Sequence, residues 1–438
     1  MLESFGIIEK KHMKGTSKMK KVLFGKKFVA VILSVIMLAT VLMPAVSAAC
    51  TWLDETLLMK DRYVTSDNSY GLVGGVTERH VVLNNAKKNN QIKGYAMEVD
   101  INNPDLFVKV GYNDGDMDGW KATTVKSQSA VFESKGYNVV GAVNGGPFNT
   151  STGEPAGVLV MNGVQGHSGS KYPFFAILND GTAVIRDYTG TTEDVKEAVA
   201  GMTILVVDGE IVDHTADTAI HPRTAVGIKA DGSLVFFVAD GRQQPETVGM
   251  SYTDLAHTML ALGSVNAMAL DGGGSSIMLT QREATEDLVV RSSPSYAKIE
   301  RPVATSIQIC TNAKPTGVYD HVAFTIDKIF CAPLTPTSFG VSGVDVNGFK
   351  TAMPEGGYLE VADSAYGSIS GTTFMPGAKT GKTAINYVID GEVVASVPVE
   401  ISNDADNLIE KFFNEIIQAF MNIFNLMQTL IEKLGERI

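Results

Sequence analysis

The chain has few cysteines and no excess of basic residues, and each shortage excludes a class of protein. Three cysteines are too few for a disulfide scaffold and lack the spacing of a metal site. Cys310 and Cys331 are expected either as one disulfide or as two buried thiols. The formal net charge of −12 argues against a nucleic-acid partner, because phosphate backbones are bound by basic surfaces. The sequence also has no Gly-x-Ser-x-Gly motif, no metal-binding His pair and no P-loop.

Residues 1–49 have the pattern of a secretory signal peptide. Five lysines between residues 18 and 27 precede an uncharged apolar run at 28–43 and then small residues before Cys50. Cleavage after Ala48 or Ala49 is expected, with a retained anchor or a lipoprotein at Cys50 as alternatives. The leader holds eight of the 36 Lys and Arg residues but only two of the 48 Asp and Glu residues, so the rest of the chain has a formal charge of −18. We therefore predict an exported protein, secreted or associated with the cell envelope.

Residues 50–312 mix strand-like and helix-like patterns. Helical spacing occurs at 123–135 and 252–262. Asp-Gly pairs that begin at 180, 208 and 231 lie between apolar runs and predict hairpin turns, so the sheet is not purely parallel. The expected fold class is α+β, with a mixed sheet. Strands are predicted at 95–99, 107–110, 139–143, 204–207, 234–238 and 267–270.

Two further regions follow this domain. Residues 313–402 contain short strands with Gly, Pro and Asp turns, which is typical of an immunoglobulin-like β-sandwich. Residues 403–438 predict a long amphipathic helix with a wide apolar face. Self-association or envelope contact through this helix is expected, and packing back onto the body of the protein is the alternative.

Three apolar runs each end in a polar residue followed by glycine. Asn144 precedes Gly145 and Gly146, Asp240 precedes one glycine, and Asp271 precedes three. Glycine lets the backbone turn tightly and approach a ligand closely. Each case alone is also typical of an ordinary strand-to-turn transition. The repetition favours one site in which Asn144 hydrogen-bonds a sugar and the two carboxylates act as acid, base or nucleophile.

Anion-binding groups lie close to these strand ends in the sequence. A turn of consecutive glycines can direct several backbone N–H groups at an anion, and this one is followed by two hydroxyls. Arginine forms two-donor contacts with phosphate, although a lone arginine is usually a surface residue. The candidate groups are Gly272, Gly273, Gly274, Ser275, Ser276, Arg223, Thr224 and Arg242. Arg301 is a further candidate, and it lies at a predicted strand start beside the carboxylate of Glu300. Together they indicate an anionic substrate whose glycosidic bond is cleaved.

Six ordered motifs between about residues 70 and 311 resemble the phosphodiester glycosidase family. They are Asn144-Gly-Gly-Pro-Phe148, Gly153-Glu-Pro-Ala-Gly157, Pro222-Arg-Thr-Ala-Val-Gly227, Asp240-Gly-Arg242, Leu270-Asp-Gly-Gly-Gly-Ser-Ser276 and Glu300-Arg-Pro-Val303. The chain departs from the family pattern at Pro147, where an aromatic residue is usual. The resemblance implies hydrolysis of a sugar-1-phosphate diester of the N-acetylglucosamine-α-phosphodiester type, releasing the sugar and leaving a phosphomonoester. No cofactor is implied, and a divalent cation is the alternative.

On this interpretation the expected catalytic residues are Asp271, Asp240 and Arg242. The expected substrate-binding residues are Asn144, Gly145, Gly146, Arg223, Thr224, Gly272, Gly273, Gly274, Ser275, Ser276, Glu300 and Arg301. Two other functions remain open: a different glycan hydrolase or phosphodiesterase on the same scaffold, and a non-catalytic carbohydrate-binding protein of the envelope. In each case the expected partner is a glycan or a sugar phosphate.

Overall fold

The computed structural model describes residues 52–113, 117, 119–169, 171–295 and 299–403. The predicted leader at 1–49 and the predicted tail helix beyond residue 403 lie outside the described residues. From Asp54 onward, the described residues belong to one unit. Within these ranges, neither helix is long and apolar enough to cross a membrane.

The protein is mostly β. Strands make up 47% of the described residues and helices 8%, so the α+β class expected from the sequence is wrong. Both predicted helices exist, as α1 (Val125–Ser134) and α2 (Tyr252–Ala261), but they are the only α-helices in the described ranges. The physical reason is that all described strand pairs before residue 312 are antiparallel, so only two connections, from β4 to β5 and from β14 to β15, are crossovers that use a helix.

Local signals start the two helices. The Thr124 hydroxyl accepts the Ser127 N–H before α1, and the Ser251 hydroxyl accepts the Asp254 N–H before α2, both at 3.1 Å. Such caps satisfy backbone donors that the first turn leaves without partners.

Eighteen strands precede residue 312, and they include all six predicted ones. They are β1 (Arg62–Val73), β2 (Val76–Asn85), β3 (Asn90–Val99), β4 (Leu106–Tyr112), β5 (Asn138–Asn144), β6 (Leu159–Met161), β7 (Val164–His167), β8 (Phe174–Leu178), β9 (Ala183–Arg186), β10 (Val195–Ala200), β11 (Thr203–Val207), β12 (Glu210–Ile211), β13 (Arg223–Lys229), β14 (Leu234–Ala239), β15 (Ser264–Ala269), β16 (Met278–Thr280), β17 (Val289–Val290) and β18 (Thr305–Thr311). The predicted Asp-Gly hairpins join β8 to β9, β11 to β12 and β13 to β14.

These strands form three antiparallel sheets. The first sheet has eight strands in the order β1-β2-β3-β14-β13-β15-β11-β12. The second has the order β17-β16-β5-β18-β4, and the third the order β7-β6-β10-β8-β9. One apolar core includes residues from all three, among them Phe236 of the first, Ile307 of the second and Phe175 of the third. The strand ends considered below therefore belong to sheets that share one core.

The remaining strands form three small sheets around a separate core. They are β19 (Tyr319–Phe324), β20 (Ile329–Cys331), β21 (Thr337–Ser338), β22 (Val341–Asp345), β23 (Lys350–Thr351), β24 (Tyr358–Val361), β25 (Gly367–Ser370), β26 (Thr373–Pro376), β27 (Gly381–Ile389) and β28 (Glu392–Ile401). All pairs are antiparallel except β20 with β28. Short strands without α-helices agree with the pattern in the sequence, and the assignment to an immunoglobulin-like fold stays a prediction. Cys310 is a buried free thiol, and Cys331 is also buried.

Candidate active site

The ends of β14 and β15 and the start of β13 lie side by side in the middle of the first sheet. The edge of the sheet that these strand ends form is the edge considered below. Register pairs Arg223 with Ala239, and Ala225 with both Phe237 and Ala269. Asp240 directly follows β14, and Asp271 follows β15 after one residue. Since neighbouring strands are about 4.8 Å apart, the two strand ends are roughly 10 Å apart across β13. The sheet thus brings the two predicted carboxylates to the same edge.

Asn144 joins the second sheet to this edge. Its Nδ2 donates to the Asp271 carbonyl at 2.7 Å. Its Oδ1 accepts the Thr224 hydroxyl at 2.7 Å and the Ile277 N–H at 3.2 Å. The Asp271 N–H in turn donates to the Gly145 carbonyl at 3.0 Å. The amide predicted to bind a sugar is therefore buried and used to fix the backbone of Asp271, and Thr224 takes part in the same support.

Gly145 and Gly146 let the end of β5 pack closely against its neighbours. A Cβ at Gly145 would lie 2.4 Å from Thr305 Oγ1, and one at Gly146 would lie 2.1 Å from the Ala200 carbonyl oxygen. The Gly146 N–H donates to Thr305 Oγ1 at 3.1 Å. Close approach of backbones thus explains these two glycines without a ligand.

The turn at 272–274 holds the Asp271 carboxylate. The Gly272 N–H donates to Asp271 Oδ1 at 2.9 Å, and Gly273 has a φ of +64°, which favours glycine. Burial raises the pKa of Asp271, whereas the Ser275 hydroxyl, the Gly272 amide and the Arg301 charge lower it. The carboxylate is half-buried. Burial and donors therefore act against each other at this group.

Ser276 and Gly274 complete the turn. The Ser276 hydroxyl is buried and has no hydrogen-bond partner among the described residues. Gly274 is half-buried. A buried hydroxyl without a partner is unusual, because native structures pair most such groups. Ser276 is therefore a candidate contact for a bound ligand.

Asp240 is buried more deeply, with 2% of its surface exposed. The Ser293 N–H donates to Oδ1 at 2.8 Å, while Oδ2 makes no hydrogen bond of ordinary geometry with a described residue. Burial raises the pKa of Asp240 to about 7, although the Ser293 amide, the Tyr95 hydroxyl and the Lys93 charge lower it. A carboxyl with this pKa holds a proton near neutral pH, as a general acid must.

Arg242 lies over the glycine turn and contacts an imidazole that the sequence did not single out. Its Nη2 is 3.1 Å from His221 Nδ1 and 3.2 Å from the position of a Cβ on Gly273. A guanidinium only donates, so Nδ1 accepts and the neutral ring carries its proton on Nε2. Burial lowers the pKa of His221, and the charges of Arg242 and Arg223 lower it further. His221 is thus a neutral donor beside the turn.

The guanidinium of Arg223 makes more hydrogen bonds within the protein than the sequence suggested. Its Nε donates to the Met250 carbonyl at 3.0 Å and its Nη2 to the Ala219 carbonyl at 2.9 Å. The guanidinium lies 3.8 Å from the centre of the Tyr252 ring. Two of the three guanidinium nitrogens are therefore engaged by backbone. This geometry favours a positioning role over the predicted two-donor grip on phosphate.

Glu300 and Arg301 have different surroundings, although they are adjacent. Glu300 Oε1 accepts the Lys126 N–H at 2.9 Å, in the first turn of α1. The Arg301 guanidinium lies 5.6 Å from the centre of the Phe148 ring and lowers the pKa of Asp271. Glu300 therefore caps a helix, whereas the charge of Arg301 acts on Asp271, and its role in substrate binding stays a prediction.

The sequence missed His221, Tyr95 and Ser293 as members of this site. His221 directly precedes the motif at 222–227, so its position was visible, but its contact with Arg242 is tertiary. Tyr95 and Ser293 approach Asp240 from other parts of the chain and carry no local signal. Within the described ranges, no three His, Cys, Asp or Glu side chains are grouped as metal ligands.

Comparisons with known proteins match this part of the chain. The model of the phosphodiester glycosidase family matches residues 137–310. N-acetylglucosamine-1-phosphodiester alpha-N-acetylglucosaminidase from Mus musculus is 32% identical over 160 residues, covering 31% of this chain and 30% of that protein. The Homo sapiens protein of the same name is 32% identical over 159 residues, with the same coverage. The chain thus spans 30% of the length of these curated relatives.

One solved structure also matches part of the chain. The catalytic domain of the zebrafish protein of that name aligns with a TM-score of 0.44 and 20% identity, covering 58% of this chain and 89% of that chain. The family match contains Asn144, Arg223, Asp240 and Asp271, which the site brings together. The names of these relatives are those of enzymes. Residues 137–310 of this chain are therefore similar to the phosphodiester glycosidase family.

Proposed function

We propose that the protein hydrolyses the glycosidic bond of a sugar-1-phosphate diester of the N-acetylglucosamine-α-phosphodiester type. The products are the free sugar and a phosphomonoester. The observation that carries this proposal is the pair of carboxyls at one sheet edge, of which Asp240 has a pKa of about 7. The names of the matched relatives point to the same substrate class.

The two carboxyls take different roles because their surroundings differ. Asp240 acts as the general acid and gives its proton to the oxygen that bridges the sugar and the phosphorus. Asp271 acts as a carboxylate, which three neighbours favour: the Gly272 amide, the Ser275 hydroxyl and Arg301. It activates water, or attacks directly, at the anomeric carbon. Burial raises the pKa of both carboxyls, but Asp271 has more groups around it that favour the charged form.

The phosphate lies between the two arginines in this proposal. Arg242 lies over Gly273. Arg301, from the last of the six motifs, lowers the pKa of Asp271 by its charge. Both charges balance the anion that develops as the phosphomonoester leaves. The neutral His221 Nε2–H and the Ser276 hydroxyl supply uncharged donors. This set suits a phosphodiester better than a neutral glycoside.

Incubation with a GlcNAc-α-phosphoryl-mannoside in ¹⁸O-labelled water tests the proposal. The expected products are GlcNAc that carries the label at its anomeric carbon and unlabelled mannose phosphate. GlcNAc-1-phosphate, or label in the phosphate, would show cleavage of a P–O bond and refute the glycosidase. Asp271→Asn is the test variant. Asp208→Asn, in the exposed turn between β11 and β12, is the matched control that keeps activity.

Export is part of the same proposal. The leader at 1–49 precedes a chain of formal charge −18, which suits a secreted or envelope-associated protein. Mass spectrometry of the mature N-terminus measures cleavage, expected after Ala48 or Ala49. A mature chain that still begins upstream of residue 28 would contradict a cleaved signal peptide.

A further inference from the structure

A buried ion cluster lies between the first and second sheets, close to Asp240. We name it the Glu78 cluster, and it comprises Glu78, His80, Thr280, Arg282 and Arg291. Glu78 on β2 is 0% exposed. Its Oε1 is 2.6 Å from both His80 Nε2 and Arg282 Nη2, and its Oε2 is 3.3 Å from Arg291 Nε and accepts the Thr280 hydroxyl. Burial alone would raise the pKa of Glu78, but the His80 hydrogen bond and the two arginine charges lower it to about 2.

Arg291 connects this cluster to the segment that holds Asp240. Arg291 Nε donates to Thr280 Oγ1 at 2.8 Å, and its backbone N–H donates to the Met278 carbonyl at 2.8 Å. Two residues later, the Ser293 N–H makes the hydrogen bond to Asp240 Oδ1. The Ser293 side chain and carbonyl are further held by Gln243, with both bonds at 2.8 Å. The contacts of Arg291 therefore help to position the Ser293 N–H, which is the donor to Asp240.

A row of rings gives a second connection. The His80 ring lies 5.0 Å from Tyr70 and 4.7 Å from Tyr95, measured between ring centres. Tyr95 faces His80 directly across β2 and β3, and it pairs with Val238 of β14, two residues before Asp240. The Tyr95 hydroxyl acts on Asp240. The cluster thus contacts Tyr95 through His80, and Arg291 links it along the chain to Ser293.

The cluster also extends to the C-terminal strands. Asp327, between β19 and β20, forms an ion pair with Arg282, with one oxygen 3.1 Å from Nη2. The same carboxylate lies 4.0 Å from His80 Nδ1, and the Arg282 guanidinium stacks 3.5 Å from the centre of the Tyr70 ring. A residue from beyond position 312 therefore supplies one of the two carboxylates that balance the charges of Arg282 and Arg291.

We propose that the Glu78 cluster positions Asp240 through Arg291 and Tyr95, and that Asp327 makes this support depend on the C-terminal strands. Arg291 and Asp327 are positioning residues, since neither touches the reacting bond. The C-terminal strands are then a working part of the catalytic unit. The catalytic consequence rests on the proposed function, whereas the structural coupling does not.

Asp327→Asn in the full-length protein tests this coupling. Asp327 is partly exposed, and asparagine keeps its shape while weakening its hold on Arg282. The matched control is Glu400→Gln, which removes an ion pair with Lys328 inside the C-terminal strands and does not contact the cluster. The first readout is hydrogen exchange of the Ser293 amide, which needs no substrate. We expect exchange about tenfold faster in Asp327→Asn, a change typical of energetic coupling between linked groups, and no change in Glu400→Gln.

The second readout is the titration of Asp240, followed by carboxyl carbon NMR. The titratable groups that face Asp240 are Tyr95 and Lys93, and neither is altered in the variant. A weaker Ser293 bond disfavours the charged carboxylate, so the titration midpoint should rise in Asp327→Asn. In the same variant kcat should fall about tenfold with KM nearly unchanged.

A second variant guards against a general loss of folding. Arg291→Lys keeps the positive charge but loses the guanidinium contacts to Thr280 and Glu78, and it should speed Ser293 exchange in the same way. Normal exchange and an unshifted Asp240 titration in both folded variants would overturn the proposal. An inactive wild-type enzyme with the expected exchange changes would instead refute only the proposed function.

Discussion

Glu78 and Asp240 are two buried carboxyls in neighbouring regions of the first sheet, and their chemistry is opposite. Their exposed fractions are 0% and 2%, yet the pKa of Glu78 is about 2 and that of Asp240 about 7. Glu78 has two arginines, a histidine and a hydroxyl around it, whereas Asp240 has one amide, one tyrosine hydroxyl and one lysine charge. Burial disfavours the charge on both groups, so the number and strength of donors and cations decide the outcome. One region contains a permanent ion cluster, and the other contains a carboxyl that keeps its proton.

The largest expected effect concerns the site. Asp240→Asn and Asp271→Asn should each lower turnover at least about a hundredfold, because each removes an acid or base group. Turnover of the GlcNAc-α-phosphoryl-mannoside measures the loss, and circular dichroism checks the fold against Asp208→Asn. Activity within tenfold of the wild type would remove that residue from the mechanism.

Substitution of the two carboxyls should change the free energy of unfolding by different amounts. Glu78→Gln leaves two buried arginines without their shared carboxylate and should cost about 3–5 kcal/mol. Asp240→Asn removes no ion pair and should cost far less at neutral pH. Urea unfolding at pH 7 gives both free energies of unfolding. Equal losses in the two variants would mean that the contrast between the regions is wrong.

The pH dependence of stability sharpens the comparison further. The folded pKa of Asp240 lies above its ordinary 3.8, so its contribution is present below about pH 4 and is lost as the pH rises through about 7. The folded pKa of Glu78 lies below its ordinary 4.5, so its contribution is present above that value and is lost as the pH falls through about 2. Asp240→Asn should therefore gain stability relative to wild type between pH 4 and pH 8, by up to a few kcal/mol. A difference that stays constant over this range would contradict the raised pKa.

A smaller effect separates the arginines of the site. Arg223→Lys should lower kcat/KM about tenfold for the phosphodiester and for an uncharged aryl glycoside alike, because Arg223 holds backbone at Met250 and Ala219. Arg242→Lys should affect mainly the phosphodiester. The ratio of kcat/KM for the two substrates is the measurement. A selective loss in Arg223→Lys would restore its predicted role as a phosphate ligand.

The smallest effect is expected from removal of the predicted tail helix. Truncation after Ser402 should leave specific activity unchanged, since all the family motifs lie upstream, and should lower the apparent mass if the tail mediates self-association. Analytical ultracentrifugation and the hydrolysis assay measure the two properties. Unfolding of the truncated protein would place the tail in the core instead.

Periodicity and strand ends were readable in the sequence because both are local. Apolar runs located all six predicted strands and both helices, and polar residues before glycine marked Asn144, Asp240 and Asp271. The fold class was wrong because two short helices were given too much weight. Within the described ranges, antiparallel pairing builds three sheets with only two crossover helices, and many of the paired strands are distant in the sequence.

The hydrogen-bond and ion-pair partners of the polar side chains were decided only by the tertiary structure. Asn144 could face a sugar or support Asp271, and contacts 80 and 127 residues away make it a support. Glu300 caps a helix 174 residues upstream, and Glu78 meets Arg282 across 204 residues. The sequence by itself determined which charged and amide groups stand at strand ends. Which of them keeps a proton, binds an ion or holds backbone depends on burial and on donors from distant strands, and no local pattern contains that information.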